Sequence, residues 1–223
     1  MFCTGNETDA DDIVCVYQDV SADEITLKVY DDTGNSWSEG TGTIAIVENN
    51  SFWGFDCIDR HSDGHILIAS WSEYQSATGD LNFTDVTDKD NFTAKTNVIT
   101  DDAAYTLSGM MVDQDTDKVF VAYSTAGSAG TIEYKETGDG GDNWGAEIVL
   151  SETADDHRTV HGGSSITGGG RWQPCWFNDD LDDMMTNYVN GRTIPSYIKT
   201  RNTVAIGNIK TANTVGDPVP DFI

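Results

Sequence analysis

Short apolar runs bounded by turns rich in Gly, Asp and Asn recur along the chain. Four of them are Ile13-Val14-Cys15-Val16-Tyr17, Ile66-Leu67-Ile68-Ala69-Ser70, Val119-Phe120-Val121-Ala122-Tyr123 and Trp172-Gln173-Pro174-Cys175-Trp176. Their last residues, Tyr17, Ser70, Tyr123 and Trp176, stand 53 residues apart. β-Branched and aromatic side chains dominate the first three runs, the composition of a buried strand. Pro174 weakens the fourth, because proline has no N–H to give to a ladder. Helical spacing of apolar positions is absent. A fixed period of this length marks a repeat protein.

The third repeat displays the unit most clearly. Tyr105 to Asp113 predicts an inner strand A, and Asp115-Thr116-Asp117 a polar turn. Val119 to Ser124 predicts strand B. Thr131 to Glu136 predicts strand C, with Ile132 and Tyr134 alternating against polar neighbours, and Trp144 to Leu150 strand D. Four short strands joined by turns, once per period, make a β-propeller blade. The chain therefore predicts an all-β propeller of four-stranded antiparallel blades, about four of them, in repeats 1–50, 51–100, 101–153 and 154–200. The first repeat reads as lacking strand A, since its first apolar run aligns with strand B. The tail 201–223 contains Thr203-Val204-Ala205-Ile206, a candidate for a ring-closing strand. A closed ring of four and a piece of a larger ring are both left open, because unpaired blade edges need closure or capping.

One turn carries the most specific motif. Thr137-Gly138-Asp139-Gly140-Gly141-Asp142-Asn143-Trp144 has the form [S/T]-x-D-x-G-x-x-W, and Asp32-Thr33-Gly34-Asn35-Ser36-Trp37 matches its later part. In the second repeat Phe92 takes the tryptophan place. These segments resemble the Asp-box, or BNR, repeat of the sialidase-like propellers, over about three of the four repeats. The resemblance implies a structural staple. Asp32 and Asp139 would accept backbone N–H groups, Gly34 and Gly141 would permit positive φ, and Trp37 and Trp144 would pack between sheets. It also places this turn on the face opposite the ligand site.

On that opposite face the D-to-A and B-to-C connections open together. The candidate ligand-binding residues there are Trp53, Trp71, Glu73, Tyr74, Tyr105, Arg158 and His161. Aromatic rings beside carboxylates suit a sugar, whose CH faces stack and whose hydroxyls need ordered polar partners. Packing between blades is the competing role for Trp53, Trp71 and Tyr105. Sialidase chemistry, as the resemblance implies it, needs three arginines, a tyrosine nucleophile paired with a glutamate, and an acid/base aspartate. The chain has five arginines. Arg60 and Arg171 fall in A-to-B turns on the wrong face, and only Arg158 stands at a strand-A entry. No catalytic residue is assigned.

Charge narrows the partners. Twelve basic residues face 38 acidic ones, a formal charge of -26, and that field repels nucleic acid and anionic membrane surfaces. No apolar run has the length of a membrane span, and Met1-Phe2-Cys3-Thr4-Gly5 lacks the pattern of a signal peptide. The four cysteines have no C-x-x-C spacing, and a disulfide is left open. His61/His65 and His157/His161 have a spacing that serves zinc on a helix, but these segments read as strand and turn. Asp113-Gln114-Asp115-Thr116-Asp117 starts like a calcium loop, yet Lys118 and Ser124 occupy the places of its glycine and glutamate. No metal or cofactor is assigned, with calcium among the Asp179, Asp180, Asp182 and Asp183 carboxylates as the weakest candidate. The expectation is a non-catalytic glycan-binding or structural module at an extracellular or virion surface. The alternative is an exo-glycosidase of sialidase type, completed by a longer chain or a neighbouring subunit. A homo-oligomer or larger assembly is left open.

Overall fold

The computed structural model describes residues 2–6, 9–46, 55–72, 79–100, 109–125, 130–151, 155, 157–162, 171–187 and 189–190. Among them are strands and turns and no helix. Sheet one contains β1 (Phe2–Asn6), β2 (Asp9–Asp19), β3 (Glu24–Asp31) and β4 (Ser36–Glu39), with β5 (Ala45–Ile46) also on β3. Sheet two runs β6 (Phe55–Arg60), β7 (His65–Trp71), β8 (Leu81–Asp88), β9 (Asn91–Ala94). Sheet three runs β10 (Gly109–Asp113), β11 (Lys118–Ser124), β12 (Ile132–Thr137), β13 (Ile148–Val149). Then come β14 (His157–His161), β15 (Arg171–Trp172), β16 (Cys175–Asn178), β17 (Asp183–Thr186) and β18 (Val189–Asn190). Of these, β14, β16 and β17 form sheet four, while β15 pairs with β18.

The repeat register holds in three dimensions. Tyr17, Ser70, Tyr123 and Trp176 all lie on the second strand of their sheets, opposite Thr26, Asn82, Glu133 and Met185 on the third. In sheets two and three successive strands are antiparallel and adjacent, so these sheets are built from local hairpins, whereas in sheet four β14 pairs with β16 across the intervening β15.

Two expectations change. The first repeat does not lack strand A: β1 pairs with β2 in a register that sets Phe2 opposite Val16 and Cys3 opposite Cys15. This strand, Phe2-Cys3-Thr4-Gly5-Asn6, has no apolar run to reveal it, and the hairpin with β2 holds it in place. Cys15 is disulfide-bonded, whereas Cys57 and Cys175 are free. The tail 201–223 lies outside the described residues. The fourth apolar run is not one strand either. Trp172 pairs into the β15–β18 ribbon, and β16 begins only after Pro174, where the missing N–H would interrupt a ladder.

The second strands of sheets two and three, β7 and β11, are buried on both sides, which explains their unbroken apolar runs. Ile66 and Ile68 of β7 join Val14, Val16, Ile25 and Leu27 of sheet one. Leu67, Ala69 and Trp71 of the same strand join Val119, Val121 and Tyr123 of sheet three. Phe120 and Ala122 of β11 join Trp172 and Trp176. Alternate residues thus serve alternate neighbours, and the sheets stack in sequence order. Side chains also tie sheets two and three: Gln114 Nε2 donates to the Asp59 carbonyl (2.7 Å), and the His61 N–H donates to Gln114 Oε1 (2.7 Å).

Candidate functional site

Antiparallel strands sort the connections onto two ends. One end carries the A-to-B and C-to-D turns. There Thr137 Oγ1 donates to Asp139 Oδ1 (2.6 Å) and accepts from the Gly141 N–H (3.2 Å). Asp139 also accepts from the Asn143 N–H (3.0 Å) and from Asn143 Nδ2 (2.8 Å). Hydrogen bonds from the Thr137 hydroxyl and the Asn143 side chain hold its carboxyl down at about 2. Gly141 has φ +93°, and a Cβ there would meet the Phe83 ring at 2.5 Å. Trp144 packs edge-on to Phe83 of sheet two (5.1 Å) and donates to the Thr96 carbonyl (2.9 Å). Asp139, Gly141 and Trp144 therefore act as a clasp between sheets three and two.

The corresponding turn of sheet one differs. Asp31, not Asp32, accepts the backbone N–H, from Gly34 (2.8 Å). The β3–β4 ladder runs to Asp31↔Ser36, leaving a turn of 32–35, too short for the longer loop of sheet three. Gly34 is needed because a Cβ would lie 2.6 Å from Asp31 Oδ2, and the positive φ belongs to Asn35 (+47°). Trp37 leans at a tilt on Tyr30 of its own sheet (5.2 Å) and is 54 % exposed, so it does not pack between sheets.

Arg60 also lies at this end, as expected. Its guanidinium is buried against Asp63 (2.6 Å) and Asp85 (3.1 Å), while His65 Nδ1 lies 2.6 Å from Asp85. This network satisfies the guanidinium within sheet two.

The other end carries the D-to-A and B-to-C connections, and each sheet presents a hydrogen-bonded carboxylate there. In sheet one, Asp19 accepts from the Ser21 N–H (2.8 Å) and hydroxyl (2.6 Å), which lower its pKa. In sheet two, Asn97 Nδ2 donates to Asp80 Oδ2 (3.0 Å), and the Asp80 N–H donates to Ser72 Oγ (2.9 Å). In sheet three, Thr131 Oγ1 donates to Glu133 (2.9 Å), and its N–H donates to Thr125 Oγ1 (2.7 Å). In sheet four, Asn178 Nδ2 donates to Asp155 Oδ2 (3.0 Å), and Asn178 Oδ1 accepts the N–H groups of Asp180 and Leu181.

Asp56 links the inner strands. Its Oδ2 accepts the Met110 N–H (2.7 Å), and a Cβ on Gly162 would lie 3.0 Å from the same oxygen. Residues of three sheets meet at this one carboxylate.

The residues expected at the ligand face divide into three groups. Trp71 is 2 % exposed in the core between sheets two and three. It packs the sheets together and offers no ring to a ligand. Arg158 and His161 lie on β14, paired in the backbone with Phe177 and Cys175. Trp53, Glu73, Tyr74 and Tyr105 lie outside the described residues. The preceding His157 is buried, its ring edge-on to Trp176 (6.2 Å). Asp56, Asp80, Asn97 and Asp155 escaped the reading of motifs. A signal existed for Asp56, because the 53-residue step from it falls on Gly109 and Gly162. Among the described residues no group of three His, Cys, Asp or Glu side chains is arranged to hold a metal ion.

No family model matches the chain, and no curated protein matches it. Solved structures do. An ulvan lyase, described as a new family of polysaccharide lyase, aligns with a TM-score of 0.57 at 10% identity. The alignment covers 79% of this chain and 51% of that one. An α-L-arabinanase of Penicillium chrysogenum complexed with arabinobiose gives 0.55 at 13% identity, over 80% of this chain and 59% of that one. A triple arginine-to-alanine mutant of AofleA from Arthrobotrys oligospora gives 0.60 at 13% identity, over 92% and 56%. The fold is a β-propeller. Its four sheets are blades 1 to 4, and the chain spans about half the length of these solved propellers. At such identities the fold is what is shared.

Proposed function

We propose that this chain is a non-catalytic, glycan-binding propeller module whose ligand lies on the end opposite the Asp139 clasp. The observation that carries the reading is the set of fixed acceptors on that end. Asp19, Asp80, Glu133 and Asp155, one per blade, are each oriented by a hydroxyl, an N–H or an amide. Pre-oriented carboxylates and amides are suited to sugar hydroxyls, since little side-chain freedom remains to be lost on binding. Glu73, Tyr74, Tyr105, Arg158 and His161 belong to the same proposed face. The charge of -26 disfavours uronate or sulfated chains and favours neutral glycans.

A glycan array followed by calorimetry tests this. Neutral oligosaccharides are expected to bind, anionic ones to bind more weakly, and Glu73→Gln with Tyr74→Ala to weaken binding at least about tenfold, ~1.4 kcal/mol. An array with no signal above background removes the proposal.

The second reading is a glycan-cleaving enzyme, completed by a longer chain or a neighbouring subunit. It is favoured by the fold shared with proteins named as a polysaccharide lyase and an arabinanase. Release of reducing ends or unsaturated sugars by the wild type, lost in Arg158→Ala, would replace the first reading with this one.

A further inference from the structure

The last residue of the inner strand carries opposite charge in neighbouring blades. Arg60 ends β6 opposite His65, and Asp113, one 53-residue step later, ends β10 opposite Lys118. In blade 2 the buried Arg60 guanidinium is balanced by the Asp63 and Asp85 carboxylates. In blade 3 Asp113 is 0 % exposed. Its Oδ1 accepts the Asp115 N–H (3.1 Å), while its Oδ2 has no hydrogen-bond partner among the described residues. The ammonium of Lys118, its neighbour across the ladder, is engaged with Glu136 (2.8 Å). Asp117, in the same turn, buries a second oxygen, Oδ1, that also has no hydrogen-bond partner among the described residues.

A carboxylate oxygen taken out of water is costly unless a donor or a cation replaces the lost hydration. Two such oxygens, from residues four apart, converge on one A-to-B turn. That turn is anchored to blade 2 by the paired bonds of Gln114 with the Asp59 carbonyl and the His61 N–H, so little ordering is left for a ligand to impose. Asp115 and Thr116 at its tip are exposed and give ions and water a way in.

We propose that Asp113 and Asp117 bind a calcium ion at the A-to-B turn of blade 3. Calcium takes six to eight oxygen ligands at about 2.3–2.6 Å and accepts irregular geometry, whereas magnesium demands a near-ideal octahedron and dehydrates reluctantly. Two carboxylates supply part of that shell, and main-chain carbonyls and water supply the rest. The glycine and glutamate that a helix-flanked calcium loop needs, replaced here by Lys118 and Ser124, are not required, because the β10–β11 ladder makes the turn. The charge of -26 raises the concentration of cations near the surface. The site lies at the end of the Asp139 clasp, away from the proposed glycan face, and does not depend on a glycan being bound.

Calorimetric titration of the chelator-treated full chain with calcium chloride, and thermal unfolding followed by circular dichroism, test this, both at ionic strength matched with KCl. The wild type is expected to bind calcium with a Kd of about 0.1–1 mM. About 10 mM calcium is expected to raise its midpoint by about 3–10 °C, and the same concentration of magnesium by less. Asp113→Asn and Asp117→Gly are each expected to weaken binding at least about tenfold. Asp117 has φ +56°, which glycine adopts freely, so Asp117→Gly is expected to fold as well as the wild type in chelator and to lose only the response to calcium. Asp179→Asn, in a separate acidic loop, is expected to bind as the wild type does. Three results overturn the proposal. Saturation absent up to about 10 mM means that no site exists. Binding unchanged in both Asp113→Asn and Asp117→Gly, or weakened equally in Asp179→Asn, places the ion elsewhere on the acidic surface. Equal midpoint shifts with calcium and magnesium reduce the effect to general screening of charge.

Discussion

Asp139 accepts from the Thr137 hydroxyl and from both the N–H and the side chain of Asn143. Those donors favour the ionised form and hold its pKa at about 2, below the unfolded value of about 3.9. A depressed carboxyl stabilises the fold in full above the unfolded pKa and loses that contribution as pH falls through the folded one. Urea unfolding of the wild type and Asp139→Asn is therefore expected to differ most above about pH 5, with the gap narrowing toward about pH 2. A gap that stays constant across this range would remove the charge from the account. The spacing of Thr137, Asp139, Gly141 and Trp144 made this clasp legible in the sequence. The same spacing misassigned Asp32, because turn length decides which carboxylate meets an N–H. A four-residue turn gives that place to Asp31.

At the level of strands and blades, an equivalent residue differs in worth according to its neighbour. Trp144 fills the seam with blade 2 and bonds the Thr96 carbonyl, whereas Trp37 is 54 % exposed. Trp144→Ala is expected to cost about 2–3 kcal/mol in denaturant unfolding. Trp37→Ala is expected to cost less than about 0.5 kcal/mol. Similar losses at the two sites would mean that Trp37 is as tightly packed as Trp144. Strands of the β7 and β11 kind were legible because burial on both sides demands unbroken apolar runs. β1 was not, since a short polar strand is held by the ladder with β2 and not by its own side chains. Trp71 illustrates the same limit at the ligand face. An aromatic residue at a strand end reads alike whether it points to solvent or into the next blade.

For the molecule as a whole, 38 acidic against 12 basic residues create self-repulsion that opposes a compact fold. Raising NaCl from about 20 mM to about 0.5 M is expected to raise the thermal midpoint by several degrees, followed by circular dichroism. A falling midpoint would instead give more weight to ion pairs such as Arg60 with Asp63 and Asp85. Strand content, the 53-residue period and four repeated units follow from residue order, because apolar alternation and turn chemistry are local properties. The hydrogen-bonded carboxylates Asp80, Glu133 and Asp155 and the Asp56 junction do not follow from it. They arise where residues distant in the chain meet, and a side chain's surroundings are set by the packing of whole blades.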